Sequence, residues 1–261
     1  AAPLEERLLE IANERGKPLN FSLLVLPQKA LLTGYFKDRT QSLAQLKLLG
    51  LETRAQHGYL RDRDWQDSVK KHFQPLIYKN VAWVPSWQKK LQKKKAKVVI
   101  KLDIGMAFGT GNHPTTRLCL RRLVDALPLY DKPTVLDIGC GSGILAITAD
   151  KLNATRTEGF DLDEHSIVVC KRNARLNRSK VKFAVKDLYK TKLVPADIVL
   201  ANLLANLITD NAKKLWASVK KGGTLILSGL LKEELDRIAK LFPAKAKKTV
   251  LGKWGVVVLA K

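Results

Sequence analysis

The sequence predicts a doubly wound α/β protein with a mostly parallel sheet, preceded by a small α+β segment. Three observations carry this. From Thr134 onward, short apolar runs alternate with longer helical patterns, as strands joined by crossover helices do. The first run, Val135, Leu136 and Ile138, passes into glycines at every second position, Gly139, Gly141 and Gly143. The second run ends in acid, Phe160-Asp161-Leu162-Asp163, with Asp161 lying 18 residues after Gly143.

In chain order, residues 3–16 read as a helix with Leu8, Leu9 and Ile11 on one side. Leu23 to Leu26 reads as a strand and Leu43 to Leu51 as a second helix. Tyr59 to Phe73 is charged and mixed and carries no chemical motif. Val81 to Val84 and Val98 to Leu102 read as short strands. The loop from Gly105 to Thr116 closes on a helix start, where Pro114 suits the first turn and Asn112 or His113 can cap it. Leu118, Leu120, Leu123 and Leu127 give that helix a buried face. Strands follow near 135–138, 157–161, 181–185, 197–202, 223–229 and 254–260. Helices fall near 143–152, 164–177, 205–219 and 230–242. The expected organisation is a small α+β recognition segment over 1–80, a lysine-rich connection over 81–104 and the main domain over 105–261.

Lysine and arginine number 47 against 24 acids, a net charge of +23, which draws a protein to polyanions. Residues 81–101 hold seven lysines and no acid. That run is either a solvated loop or a contact to RNA or another anionic surface. The charge also extends through 171–192 and Lys240 to Lys248, which favours a nucleic-acid-rich setting such as a ribosome. No apolar run approaches the ~18 residues of a membrane helix, so no membrane partner is expected. The three cysteines, Cys119, Cys140 and Cys170, and the four histidines lack metal-site spacing, so no metal is expected. The wide cysteine spacing suits a reducing compartment. The chain begins at Ala1 without methionine, so residence is either cytoplasmic or in an organellar matrix after removal of a transit segment. The oligomeric state is left open.

The glycine turn carries the chemistry. A dinucleotide fingerprint reads G-x-G-x-x-G and sets pyrophosphate at a helix N-terminus. Here the spacing is G-x-G-x-G, preceded by Asp137. An acid there repels a pyrophosphate but tolerates a cationic, phosphate-free ligand. S-adenosylmethionine, with its sulfonium and amino group, is such a ligand. Asp161 stands where an acid meets ribose hydroxyls. Cys140 is either a thiol for catalysis or a small side chain packed beside the cofactor. Asn202 ends the run from Asp197 at the sheet's carboxyl edge. It can orient an amine through its amide oxygen, cap the following helix, or do both. Trp65, Trp87 and Trp254 line a substrate path or pack internally.

From about Asp62 to the end, the chain resembles the PrmA family of ribosomal protein L11 methyltransferases. The matching pieces are Asp64-Trp65, Pro85-Ser86-Trp87, the loop Ala107-Phe-Gly-Thr-Gly-Asn-His-Pro-Thr-Thr116, and Leu136-Asp-Ile-Gly-Cys-Gly-Ser-Gly-Ile-Leu-Ala-Ile147. Asp161-Leu-Asp163, Ala201-Asn202-Leu203 and Leu227-Ser-Gly-Leu230 complete them. The Phe-Gly-Thr-Gly-x-His-Pro-Thr-Thr loop is the most specific. The first sixty residues match poorly, and the lysine run at 89–97 looks like an insertion.

The resemblance implies a seven-stranded methyltransferase sheet. It also implies transfer of methyl groups from S-adenosylmethionine to lysine ε-amines or an N-terminal α-amine of a ribosomal protein. Cofactor contacts then map to Thr116, with Phe108 and Gly109 in the same loop, and to Gly139, Gly141, Gly143, Asp137 and Asp161. Asp187 would meet the adenine amino group, and Asn202 would stand near the transferred methyl. The alternatives are an enzyme of this fold acting on RNA, or a ribosome-associated scaffold without catalysis.

Overall fold

The structure is a computed structural model that describes residues 21–26, 29–34, 43, 47, 75–88, 96–103 and 113–261. The chain divides into two units, 1–70 and 71–261. In the first, β1 (Phe21–Leu26) pairs antiparallel with β2 (Lys29–Gly34). The strand expected at Leu23 to Leu26 falls within β1. The helix expected over 3–16, most of that over 43–51, and the stretch Tyr59 to Phe73 lie outside the described residues. So do Trp65 and most of the loop leading to Thr116, including Phe108, Gly109 and Asn112.

The second unit holds two sheets. In the smaller, β3 (Leu76–Tyr78) runs antiparallel to β4 (Val81–Pro85), and β4 runs parallel to β5 (Val98–Leu102). Every residue of the central strand β4 is buried, as expected of a strand covered on both faces.

The larger sheet is built from β6 (Thr134–Ile138), β7 (Arg156–Asp161), β8 (Lys182–Val185), β9 (Ala196–Asn202), β10 (Val219–Leu231), β11 (Ala246–Leu251) and β12 (Trp254–Ala260). Their spatial order is β11-β12-β10-β9-β6-β7-β8. The pairings among β8, β7, β6, β9 and β10 are parallel, and β12 is antiparallel to both its neighbours. The helices are α1 (Pro114–Ala126), α2 (Ile144–Lys151), α3 (Glu164–Leu176), α4 (Ala205–Asp210), α5 (Ala212–Ala217) and α6 (Leu235–Ala239).

The chain builds outward from β6 through β7 to β8, then returns to the other side of β6 and builds β9 and β10. The switch point lies between β6 and β9, and a crevice at the strands' carboxyl ends is the usual ligand position in such sheets. Ile138 pairs with Ala201 across this seam, Asn202 with Ser228, and Asp161 with Val185. The ends of β6, β7, β9 and β10 therefore stand level.

Two expected helices are shorter than their patterns. The pattern over 205–219 is broken at Asn211, whose backbone leaves helical geometry (φ −108°, ψ 13°) and whose Nδ2 donates to the Leu207 carbonyl. Over 230–242, β10 continues to Leu231 and only 235–239 is α-helical. Strand β11 lies within a stretch legible only as basic, because its lysines face outward.

The small sheet is keyed to the large one by a buried polar contact. Trp83 on β4 is 1% exposed, and its Nε1 donates to Thr148 Oγ1 at 2.8 Å. Thr148 lies on α2 and its hydroxyl donates to the Ile144 carbonyl at 2.6 Å. Removing the acceptor leaves an indole N–H buried without a partner, which costs about 1–3 kcal/mol. Thr148→Val should lose that much in urea unfolding. Adding Trp83→Phe should cost less in the Thr148→Val background than in the parent; strictly additive losses would show that the hydrogen bond contributes nothing.

Candidate active site

Gly139, Gly141 and Gly143 all adopt positive φ, at 69°, 52° and 78°. This is the left-handed region that favours glycine, so the spacing reports a true turn. The turn is anchored to β7. Gly139 and Cys140 N–H groups both donate to the Phe160 carbonyl, and Gly141 N–H donates to Asp161 Oδ2 at 2.9 Å. Asp161 Oδ1 accepts from Asp163 N–H at 3.1 Å. Asp163 is the N-cap of α3, accepting from His165 and Ser166. Gly143 is glycine for packing. A Cβ there would lie 2.8 Å from Phe183 Cζ and 3.2 Å from Cys170 Sγ.

Asp137 is fully buried beneath the turn. Its Oδ2 accepts from Ala146 N–H at 3.1 Å, pinning the first turn of α2, while its Oδ1 has no partner. Burial pushes its carboxyl up to about 7, with Ala146's hydrogen bond opposing and the nearby Asp161 charge adding to the rise. Cys140 is buried, with its Sγ 3.5 Å from Cys170 Sγ. Contact with that second thiol and burial push the Cys140 thiol far up, so it stays protonated and is no nucleophile.

Across the seam, Asn202 ends β9. Its Nδ2 donates to Thr116 Oγ1 at 3.4 Å, and its Oδ1 is buried without a partner. Thr116 lies in the first turn of α1 and is 1% exposed. That helix begins as expected, with Pro114 in its first turn and His113 as N-cap. Burial foremost, then the Lys253 charge, lowers the pKa of His113, which keeps its Nδ1 able to accept from Thr115 N–H. Ser228 on β10 secures α1 by donating to the Thr115 carbonyl. Asn202 does not cap the next helix: α4 starts after Leu204 with no side-chain cap. Asp187, beyond the end of β8, accepts from Tyr189 N–H at 2.8 Å. Trp254 is half-buried and meets His113 edge-on with ring centroids 4.8 Å apart.

Several residues of this edge carry no sequence signal. Asn173 on α3 accepts from Asp103 N–H and donates to the Ser142 carbonyl, joining the end of β5 to the glycine turn. Leu162, the residue after Asp161, and Leu204, two residues after Asn202, are large apolar side chains left 69% and 65% exposed. At Gly229, with φ at 85°, a Cβ would lie 2.2 Å from the Leu203 carbonyl oxygen. The β10 bulge therefore presses directly on the backbone after Asn202. Among the described residues no group of His, Cys, Asp and Glu could hold a metal, and no helix is long and apolar enough to cross a membrane.

The edge thus offers positive-φ glycines, a half-buried acid at the second strand, apolar surface, and buried acceptor oxygens with unmet capacity. This set fits a cationic nucleoside, and the strand order with its one reversed strand is that of class I S-adenosylmethionine-dependent methyltransferases. Residues 19–250 match the family described as Ribosomal protein L11 methyltransferase (PrmA). A ribosomal protein L11 methyltransferase of Shewanella sediminis is 38% identical over 254 residues, covering 92% of this chain and 85% of that one. One from Caldicellulosiruptor saccharolyticus is 39% identical over 206 residues, covering 77% and 67%. The crystal structure of ribosomal protein L11 methylase from Lactobacillus delbrueckii subsp. bulgaricus superimposes with a TM-score of 0.64 at 29% identity, covering 72% of this chain and 98% of that one. The chain belongs to the ribosomal protein L11 methyltransferase family, and it is an S-adenosylmethionine-dependent enzyme.

Asp137 gives a pH signature. Its folded-state pKa lies above the unfolded value, so its contribution to stability is fully present below about pH 3.9 and is lost as pH rises through about 7. The loss is at most about 4 kcal/mol. Asp137→Asn should flatten the fall in Tm between about pH 4 and pH 8 relative to the parent. Parallel Tm profiles would mean that folding leaves the carboxyl's pKa where it is in the unfolded chain.

Proposed function

We propose that the enzyme methylates amines of ribosomal protein L11, the substrate named for its relatives, with Asn202 orienting the attacking nitrogen. The observation that carries this is the buried Asn202 Oδ1, which lacks a partner at the switch point. An acceptor left unmet there costs about 1–3 kcal/mol, and an incoming N–H relieves it.

The cofactor supplies an electrophilic methyl group with a neutral thioether as leaving group. The protein's task is alignment and exclusion of water. Thr116 fixes the Asn202 amide through Nδ2, leaving Oδ1 to accept from the amine and aim its lone pair along the transfer line. The amine must be neutral to attack. A free lysine has a pKa of about 10.4, so only ~1 in 2,500 is neutral at pH 7. Leu204 offers an apolar wall for a lysine's methylene stem, and desolvation there lowers the amine pKa. Asp161 holds the ribose hydroxyls through the oxygen capacity left after Gly141 and Asp163. Asp187 takes the adenine amino group, and Gly139 and Gly141 let the cofactor approach the turn's backbone. Gly143 and the buried Asp137 shape the turn from beneath, and Asp137, once ionised, complements the ligand's positive charge. Phe108 and Gly109 are carried over as cofactor contacts from the family resemblance alone. We assign substrate recognition to the segment 1–80, which carries no chemical motif. The charge of +23 suits work beside ribosomal RNA, in the cytoplasm or an organellar matrix.

Asn202→Ala should lower kcat for methyl transfer on the order of 100-fold, with cofactor affinity changing only a few-fold. Asn202→Asp, which keeps the acceptor, should recover part of the rate. An Asn202→Ala turnover within twofold of the parent would remove the orienting role. Purified enzyme with labelled S-adenosylmethionine should label L11 among total ribosomal proteins. Label confined to RNA would select the RNA-modifying alternative instead.

A further inference from the structure

A groove of about 1170 Å³ opens at the opposite, amino-terminal edge of the large sheet. It lies where β6, β7 and β8 begin and where α2 and α3 end. Its lining includes Lys132, Lys151, Arg156, Arg178, Lys180 and Lys182, against the acids Asp131 and Asp150. Among the described residues, Arg156 alone of these cations is in an ion pair, with Glu158 at 2.5 Å. Some cations elsewhere in the unit are held by acids, such as Lys220 by Asp197 at 2.9 Å and Arg172 by Asp103 at 2.7 Å; what sets the groove apart is that five cations without an ion pair line one concavity.

Helix carboxyl ends attract cations on their own account. That explains Lys151, the last residue of α2, and Arg178, two residues beyond α3. It does not explain Lys132 in the turn before β6, Arg156 and Lys182 as first residues of β7 and β8, or Lys180. Conformation does not explain Lys132 and Arg178 either. Both have positive φ, at 47° and 49°, where glycine or asparagine is the usual choice. The lysine run closes at the same place. Lys97, its last member, donates its N–H to the carbonyl of Asn80 at 2.8 Å, and Asn80 lines the groove.

We propose that this groove docks the phosphate backbone of double-helical RNA. Unpaired, exposed cations meet phosphates without first breaking an ion pair. The lining has one aromatic residue, Tyr130, whose hydroxyl is engaged by Thr224 Oγ1 at 2.6 Å. A single tethered ring is a poor platform for stacking unpaired bases, so recognition rests on backbone charge and helix shape. An acidic protein segment would need apolar anchors beside the charges; of the apolar residues that line the groove, Val124, Leu127 and Pro133 are buried, whereas Lys132, Arg156, Arg178, Lys180 and Lys182 are exposed. The groove and the methyl-transfer edge lie at opposite ends of strands β6 to β8, roughly 17 Å apart for a five-residue strand. RNA held here leaves the transfer edge free for a protein substrate. The proposal rests on the reading above for its ribosomal setting.

The test is fluorescence anisotropy of a labelled RNA hairpin with the full chain across KCl concentrations. One variant carries Lys132→Gln, Arg178→Gln, Lys180→Gln and Lys182→Gln. A control removes equal charge far from the groove, with Lys213→Gln, Lys240→Gln, Lys245→Gln and Lys247→Gln, all at exposed positions. The groove variant should bind at least about tenfold more weakly, with a slope of log K against log salt shallower by about 3 to 4. The control should stay within about threefold of the parent. Equal weakening by both sets would mean diffuse attraction and overturn the proposal. So would parent-like RNA binding by the groove variant, or its loss of polyglutamate binding alone. Should the fourfold variant melt early, Lys180→Gln with Lys182→Gln should shift the slope by about 2. Label transfer to free L11 is measured in parallel and should be equal in parent and groove variant. Absence of label with the parent would reject the L11 substrate and leave the RNA result to stand separately.

Discussion

The parallel pairing of β6 with β9 is the constraint on which the rest depends. It joins the two halves of the sheet where the chain reverses its direction of growth. Because Ile138 lies opposite Ala201, the glycine turn and Asn202 emerge level on either side of one crevice. A register slip of one residue would send Asn202 to the other face of the sheet. The buried apolar residues of β9 hold the register. Ile198, Val199, Leu200 and Ala201 are wholly inaccessible to solvent, so neither face tolerates the inversion.

Polar groups at this edge are arranged in two tiers. The lower tier is internal and builds the turn. Asp137 holds α2, Asp161 holds Gly141, and Asn173 bridges the turn to β5. The upper tier keeps capacity in reserve, with Asn202 Oδ1 the clearest case. A rigid lower tier lets the upper one remain unsatisfied without collapsing onto itself. It also limits the turn's thiol, because Cys140 sits against Cys170 and stays protonated.

Much of the fold was legible because the signals are local. Val135 to Ile138 alternates into glycine, and the positive φ of Gly139 and Gly143 is a property of the residue type. Pro114 and His113 mark the start of α1 for the same reason. The errors also have local causes. Asn211 breaks the pattern over 205–219 through a bond to the Leu207 carbonyl, a contact that hydrophobic periodicity does not register. Strand β11 was hidden because it is an edge strand paired on one side only, with outward lysines that read as surface charge. Gly143 has a further reason to be glycine that spacing does not register, since a Cβ there would meet Phe183 and Cys170.

By itself, the sequence determined the glycine turn, the acid that ends the second strand, and through them a cationic nucleoside cofactor in place of a pyrophosphate. These follow from residues adjacent in the chain, where backbone preference and charge act directly. Only the tertiary structure decided that Asn202 meets Thr116, 86 residues away, rather than capping the next helix. It alone brought Lys132, Arg156, Arg178 and Lys182 to one groove. Both depend on strand register and on which ends of several elements the sheet aligns, and register is fixed by packing across the whole domain.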